Sequence, residues 1–352
     1  MSGSKRDYTW DVVRGLGILM VVIGHSGPMS LVHFVYLFHM GLFFFVSGNF
    51  MKIKTGGQFV EKVKGYTMKK LKTLWLPFVI FTLFILCLQD FFVDHAMAFT
   101  RYPGKEFVKT ALMVLVFKQV DNPMLCPIWF LKSLFFCSIF VYMVLLGIKG
   151  TKLRYAFFCI LYGITVVLHY APIAIPSVIL REMTVSCIVF MGYAMHQHHI
   201  IERKFVNSKS LMFSFIILLF ASFYIKIDVM TATFSYPLVF PIMTFTGIVF
   251  TYNVSVVLMK TFKKLSLMLS YFGEHSLYIL LQHVMGFKFV SVFLVRHYAL
   301  KITPPTNNLY NMVINENVGC CWWLVYTIVG ISFSLLVMNA VRMIKSKLKI
   351  KK

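Results

Sequence analysis

The residues with the greatest chemical potential in this sequence lie in its first apolar stretch, WDVVRGLGILMVVIGH at residues 10–25. The stretch carries an acid, Asp11, a base, Arg14, and an imidazole, His25. In an α-helix, Arg14 and His25 are close to three whole turns apart, so they share nearly one face and lie about 16 Å apart along the axis. Asp11 joins that face three residues before Arg14. Ionisable groups are costly in lipid, so each of these residues needs a partner or a task.

The composition of the chain explains why these residues lie among apolar ones. Of 352 residues, 59% are hydrophobic, 37 are Phe and 22 are Met, and the mean hydropathy is +0.78. Such values exclude an ordinary soluble domain. The apolar runs are continuous rather than alternating in polarity, which indicates helices and not a β-barrel. We therefore predict an all-α fold class, a polytopic helical bundle that is integral to a membrane.

Ten apolar runs are predicted to be membrane spans. They lie near residues 10–27, 31–50, 74–90, 126–148, 155–171, 178–195, 210–226, 237–259, 275–295 and 321–341. Ten spans place both termini on one side, which carries 24 of the 35 basic residues, whereas the opposite loops carry eight. Because basic residues favour the cytoplasmic side, we predict cytoplasmic termini and a multi-pass protein of the cell (inner or plasma) membrane. We expect one membrane domain over residues 1–352, with no fused soluble domain.

The formal net charge of +23 bears on the partners of the chain. Basic residues along the cytoplasmic membrane edges attract anionic head groups, so membrane lipids are predicted partners. Nucleic acid is not a predicted partner, since no basic stripe with a reading motif is present. The most basic loop, residues 51–75, is partly amphipathic and is predicted to lie as a helix along the inner surface. It is either a topology determinant and lipid anchor or a basic collar that attracts an anionic cofactor.

Two further membrane segments carry polar residues in the first half of the chain. In LFHMGLFFFVSGNFM, His39 either belongs to a site or bonds to a neighbouring carbonyl in the core, and Ser47 either belongs to a site or allows close helix packing. In PIWFLKSLFF, Trp129 begins a span at its outer end. An aromatic anchor at the membrane interface is the alternative to a substrate contact there.

A third polar cluster, YFGEHSLYILLQH, lies at the start of the ninth span. Glu274 and Ser276 suit a helix N-terminus, where acids and hydroxyls are stabilised. Capping does not explain His283, which falls in mid-membrane. The seven cysteines show no metal-ligand spacing, so no metal is predicted.

These motifs together resemble the acyltransferase family 3 membrane proteins. That group includes O-antigen and enterobacterial common antigen O-acetyltransferases and fucose 4-O-acetylase-like proteins. Four segments carry the resemblance, in the family's order and over nearly the whole chain: DVVRGLGILMVVIGH, FHMGLFFFVSG, IWFL and FGEHSLYILLQH. One departure is visible, because members often have proline after FHM whereas this chain has Gly41. The shape of the second span is therefore open.

The resemblance implies a cytoplasmic acyl-CoA donor, most commonly acetyl-CoA, and a sugar hydroxyl of a lipid-linked or exported glycan as acceptor. The family's essential histidine and arginine match His25 and Arg14 by motif. Arg14, near the cytoplasmic end, is then expected to bind the CoA phosphates. His25 is expected to act as general base in a direct transfer or to carry the acyl group itself. Asp11 is expected to partner Arg14 or another basic group near the cytoplasmic entrance.

Six further polar residues are expected to line the pocket of such an enzyme. The residues expected to contact the donor are Ser47, Glu274 and Ser276. The residues expected to contact the acceptor are His39, Trp129 and His283.

Two interpretations from other classes of protein stay open. An exporter or flippase of a glycan or lipid-linked sugar would share the polytopic architecture without any acyl transfer. A membrane scaffold would use its buried polar groups only to hold helices together, and it would leave the shared face of Arg14 and His25 to chance. The sequence shows no paired discontinuous helices of the kind found in many transporters, which favours the acyltransferase.

Overall fold

The fold is almost entirely helical. The structure, a computed structural model, describes residues 8–94, 100–120, 122–172, 175–234, 237–298 and 321–350. Most of these residues are in helices, which confirms the predicted all-α membrane fold class. The only strands in these ranges are β1 (Ile227–Asp228) and β2 (Thr233–Phe234), which pair antiparallel with Ile227 opposite Phe234.

The helices follow one another with short connections. In chain order they are α1 (Thr9–Gly24), α2 (Met29–Tyr36), α3 (His39–Asn49), α4 (Phe59–Lys70), a π-helical turn (Leu71–Trp75), α5 (Leu76–Cys87), α6 (Gln89–Asp94), α7 (Lys105–Val114), a 3₁₀ segment (Pro123–Ile128), α8 (Trp129–Gly147), α9 (Thr151–Tyr170), α10 (Ser177–Gln197), α11 (Ile200–Lys204), α12 (Ser208–Tyr224), α13 (Val239–Thr261), α14 (Lys263–Glu274), α15 (Ser276–His297) and α16 (Trp322–Ile350).

Each of the ten predicted spans contains at least one of these helices. In the described ranges, eight helical stretches are long and apolar enough to cross a membrane. The other two spans contain α1, with 16 residues, and α12, with 17 residues. At 1.5 Å per residue these two helices are about 24 to 26 Å long. The number of crossings and the side of the termini stay predictions.

The second span is two helices rather than one. α2 ends at Tyr36, and α3 begins at His39. Gly41 lies within α3, and a Cβ added there would overlap the side chain of Thr244 on α13. Gly41, where members of the similar family often have proline, therefore lies at a close helix contact that leaves no room for a side chain.

The basic loop is helical, but it does not form a helix separate from the third span. α4 continues through the π-helical turn into α5, so that Phe59–Cys87 is one helical stretch. The inner face of α4 packs on α8, where the ring of Tyr66 stacks on Tyr142 with centroids 4.0 Å apart. The ammonium of Lys70 lies 5.3 Å from the centroid of the Tyr66 ring. This packing explains why α4 follows the bundle, and the predicted place of the loop along the inner surface stays a prediction.

α1 lies at the centre of the bundle and packs against α2, α3, α13, α14 and α15. Its contact with α14 depends on two glycines. A Cβ at Gly15 would meet the carbonyl oxygen of Leu269, and a Cβ at Gly273 would meet the carbonyl oxygen of Asp11. Small residues at such a crossing let two backbones approach closely. This contact fixes the half of α1 that carries Asp11 and Arg14.

Polar contacts join helix ends that the ten-span prediction assigns to the same side. On the predicted outer side, the hydroxyl of Ser26 lies 3.0 Å from that of Thr327 in α16. On the predicted cytoplasmic side, the indole of Trp10 donates to Glu202 at 3.1 Å. This agreement supports the predicted alternation of the spans.

Candidate functional site

The shared face of α1 borders a partly open apolar cavity. Arg14, Ile18, Val21 and His25 follow one another at intervals of four, three and four residues, which places them along one helix face. Ile18 and Val21 line a cavity of about 160 Å³. Its other lining residues come from α3, the π-helical turn, α8 and α15: Met40, Phe43, Leu74, Phe130, Leu131, Leu134, Ser276, Leu277 and Leu280. The cavity therefore adjoins the part of α1 between the guanidinium and the imidazole.

The guanidinium end of the face combines an ion pair with unused donors. Arg14 pairs with Asp11 through Nη2, and the side chains are 30% and 5% exposed respectively. The guanidinium carbon lies 5.5 Å from the ring centroid of Phe50, which supports it from below. Its Nε is buried and has no hydrogen-bond partner among the described residues. Arg14 is thus held in place by a carboxylate and an aromatic ring, while the exposed part of its guanidinium is accessible to an anion.

The imidazole end brings two predicted histidines together. His25 follows α1 directly and is partly exposed. Its ring centroid lies 5.4 Å from that of His283, which is fully buried. The structure therefore places His25 of the first span and His283 of the ninth span side by side. The catalytic role of each ring stays a prediction.

The hydrogen bond of His283 determines which of its ring nitrogens is left as an acceptor. Its Nδ1 lies 2.9 Å from the carbonyl oxygen of Ile279. A carbonyl only accepts, so the neutral ring carries its proton on Nδ1 and presents Nε2 as an acceptor. That Nε2 is buried and has no hydrogen-bond partner among the described residues. His283 can therefore accept a hydrogen bond from a hydroxyl brought next to His25.

His39 has the same arrangement on α3. Its Nδ1 lies 2.8 Å from the carbonyl oxygen of Val35, and its ring lies 4.9 Å from that of Tyr36. It is also close enough to His25 to interact with it electrostatically. His25, His39 and His283 therefore form one cluster, drawn from three separate polar segments of the sequence.

Of the three residues predicted to contact the donor, one lines the cavity and two do not. Ser276 lines the cavity. Ser47, partly exposed on α3, and Glu274, exposed at the end of α14, are not among the lining residues. The N-cap residue of α15 is His275, whose side chain makes no capping hydrogen bond, and the capping role of Glu274 and Ser276 stays a prediction.

Trp129 belongs to a second polar cluster. It is 8% exposed and lies beneath the guanidinium of Arg181, 5.1 Å from carbon to ring centroid. Arg181 donates to Glu182 Oε1 at 3.0 and 3.1 Å, and Ser133 donates to the same oxygen at 2.6 Å. Trp129 is buried, so it is not an exposed interface anchor. The neighbouring Phe130 lines the cavity instead.

Two further polar residues near the cluster were not predicted. The ring of Tyr36 lies beside that of His39, tilted by 33°, although nothing in its sequence context distinguishes Tyr36 from other tyrosines. Lys288, five residues after His283 on α15, is 3% exposed. An intramembrane lysine is itself a signal of function, and the sequence contained it.

Comparison with known proteins identifies the family to which this chain belongs. The model of the acyltransferase 3 family, described as an acyltransferase domain, matches residues 7–339. No curated protein and no solved structure matches the chain. The match covers all but the ends of the sequence, including both ends of the α1 face and the histidine cluster. This chain therefore belongs to the acyltransferase 3 family and is a multi-pass membrane acyltransferase.

Proposed function

We propose that this protein transfers an acyl group from cytoplasmic acyl-CoA to a sugar hydroxyl of a lipid-linked or exported cell-surface glycan. Acetyl-CoA is the proposed donor, and the O-antigen and fucose 4-O-acetylase-like group is the proposed branch of the family. The observation that carries the proposal is the apolar cavity on the face of α1 between Arg14 and His25. Such a cavity suits a narrow, extended acyl-pantetheine arm.

Arg14 is proposed to bind the phosphates of the donor. Its guanidinium is partly exposed and keeps donors beyond the one used by Asp11. A planar guanidinium can bind two phosphate oxygens at once, and the charge strengthens each hydrogen bond. The distance of about 16 Å along α1 is one that an extended pantetheine arm could cover. Ser276 would contact this arm, and Ser47 and Glu274 would contact the donor outside the cavity.

His25 is proposed to carry the chemistry at the other end. In a direct transfer, its ring takes the proton of the sugar hydroxyl while the oxygen attacks the thioester carbonyl. The carbon–sulfur bond then breaks, and the CoA thiolate leaves and takes up a proton. In the alternative, a ring nitrogen of His25 first takes the acyl group, releases CoA, and then passes the acyl group to the sugar oxygen.

His283 and His39 are proposed to hold the acceptor. Both bond to a carbonyl through Nδ1, so each presents Nε2 as an acceptor for a hydroxyl. Their proximity to His25 would orient the attacking oxygen. Trp129, in the neighbouring cluster, would contact a more distant part of the acceptor.

The test is acyl transfer by purified protein in lipid nanodiscs, with labelled acetyl-CoA and a lipid-linked glycan. We expect His25→Ala to abolish transfer while the unfolding temperature stays near that of the wild type. His33→Ala is the matched control, because His33 is an exposed histidine on α2, and it should retain activity. Full activity of His25→Ala would refute the catalytic role.

A second measurement separates the enzyme from an exporter. CoA should raise the unfolding temperature in detergent, because a ligand that binds only the folded state stabilises it by mass action. An exporter of a glycan or lipid-linked sugar has no site for CoA, so it would show no shift.

A further inference from the structure

The junction of α10 and α11 contains a cluster of metal-ligating side chains outside the site described above. The sequence there is HQHHIIE, from His196 to Glu202. α10 ends at Gln197, and His199 takes a left-handed conformation with φ of 48° before α11 begins. This reversal brings one ligand atom each from His196, His199 and Glu202 within 4.8 Å of one another.

The two imidazoles already have the separation that a shared ion needs. Zn²⁺ binds imidazole nitrogen at about 2.0 to 2.1 Å, so two rings on one tetrahedral ion have centres about 5 Å apart. The ring centroids of His196 and His199 are 5.4 Å apart, with an interplanar angle of 61°. A small movement of side chains therefore suffices to close the site around an ion.

Neighbouring groups support the site from outside. The indole nitrogen of Trp10 donates to Glu202 Oε1 at 3.1 Å, which fixes the carboxylate and leaves its other oxygen for an ion. Such a hydrogen bond to a ligating carboxylate is typical of metal sites. The Nδ1 of His196 is buried and has no hydrogen-bond partner among the described residues. This nitrogen is therefore not used by another side chain or backbone group in the described ranges.

The ligand set selects among metals. Two imidazoles and one carboxylate suit Zn²⁺ and neighbouring first-row ions, whereas Ca²⁺ and Mg²⁺ prefer sites made of oxygen. Lys52 is close enough to His196 to oppose a cation electrostatically. Coordination bonds to the three side chains, and not attraction to a negatively charged surface, must therefore bind the ion.

We propose that His196, His199 and Glu202 bind a Zn²⁺ ion, with the fourth position open to water. Trp10 is a positioning residue of this site, and it precedes Asp11 on α1. A bound ion would therefore tie the α10–α11 junction to the end of α1 that carries Arg14. Metal prediction from cysteine spacing alone could not find this site, because its ligands are histidines and a glutamate.

The experiment uses the full chain, purified through an affinity tag without histidine and stripped of metal with a chelator. Zn²⁺ is titrated and counted by elemental mass spectrometry, and Co²⁺ is added separately to follow visible absorption bands of a four-coordinate ion. We expect one ion per chain and tetrahedral-type Co²⁺ bands. His199→Ala and Glu202→Gln should each weaken binding at least tenfold.

His198→Ala is the matched control, because His198 is exposed and lies between His196 and His199 in the sequence without belonging to the cluster. It should bind the ions as the wild type does. Trp10→Phe should weaken binding about tenfold, since loss of a supporting hydrogen bond commonly costs that much in metal affinity. The proposal is overturned if the wild type binds no ion. It is also overturned if His198→Ala weakens binding as much as His199→Ala, since that pattern indicates unspecific attachment to the histidine tract.

Discussion

The ion pair of Arg14 with Asp11 allows the binding role of the guanidinium to be separated from its structural role. The perturbation is Arg14→Gln, made alone and together with Asp11→Asn. Alone, Arg14→Gln removes the guanidinium from its ion pair with a carboxylate that is 5% exposed. Breaking a buried ion pair in this way costs about 3 to 5 kcal/mol. Because the Arg14 side chain is 30% exposed, we expect a smaller loss, about 2 to 3 kcal/mol.

The same change has a separate effect on the donor. A hydrogen bond between charged groups contributes about 1.5 to 3 kcal/mol. Every 1.4 kcal/mol corresponds to a factor of ten, so the KM for acetyl-CoA should rise about 10- to 150-fold. The double variant replaces the ion pair with two neutral amides, so its stability should recover most of the loss. Its KM should stay high, because the cation is still missing.

The assay combines thermal unfolding with the kinetics of acetyl transfer at varied acetyl-CoA. High KM with recovered stability in the double variant is the expected result. A double variant with a wild-type KM would refute the reasoning, since Arg14 would then act only through its contact with Asp11.

Three further predictions concern the cavity and the contacts around it. Ile18→Trp should fill the cavity and lower kcat/KM for acetyl-CoA at least tenfold in a folded protein; unchanged kinetics would show that the donor does not pass there. Gly273→Ala would press a methyl group on the carbonyl oxygen of Asp11, so overpacking should destabilise the fold by about 1 to 3 kcal/mol and lower the unfolding temperature. An unchanged unfolding temperature would contradict that close contact. His283→Phe removes the free Nε2 beside His25 and should lower kcat without changing the KM for acetyl-CoA. A raised KM for acetyl-CoA with a normal kcat would contradict this role, because it would indicate that His283 contacts the donor and not the acceptor.

Helix-level predictions succeeded where local sequence decides the structure. Continuous apolar runs are sufficient to predict helices in a membrane, because every backbone group must bond within its own segment. The shared face of Arg14, Ile18, Val21 and His25 also follows from helical spacing alone. The cavity beside that face could not be predicted, since it depends on side chains from four other elements.

Two features of the fold depend on contacts that the sequence does not display. The break between Tyr36 and His39 interrupts an apolar run that has no proline or glycine at the break. The continuity of Phe59–Cys87 passes through a charged region that resembles a loop in composition. In the second case, the stacking of Tyr66 on Tyr142 supplies a reason that appears only in three dimensions.

The assembly of the site was an expectation from the family resemblance and could not be predicted from helical spacing. His25, His39 and His283 were each identified from their own segments, whereas their proximity is a tertiary result. Trp129 was predicted at the acceptor, but it packs under Arg181 in a separate cluster. Buried Lys288 is a charge within a predicted span, so its burial could have been predicted from the sequence.

The most direct measurement of the central claim is an electron cryomicroscopy map of the protein in nanodiscs with bound CoA. The account predicts that the phosphates contact Arg14, that the pantetheine arm passes Ile18 and Val21 through the cavity, and that the sulfur ends within reach of His25. CoA bound away from this face, or a sulfur separated from His25 by packed helices, would contradict it.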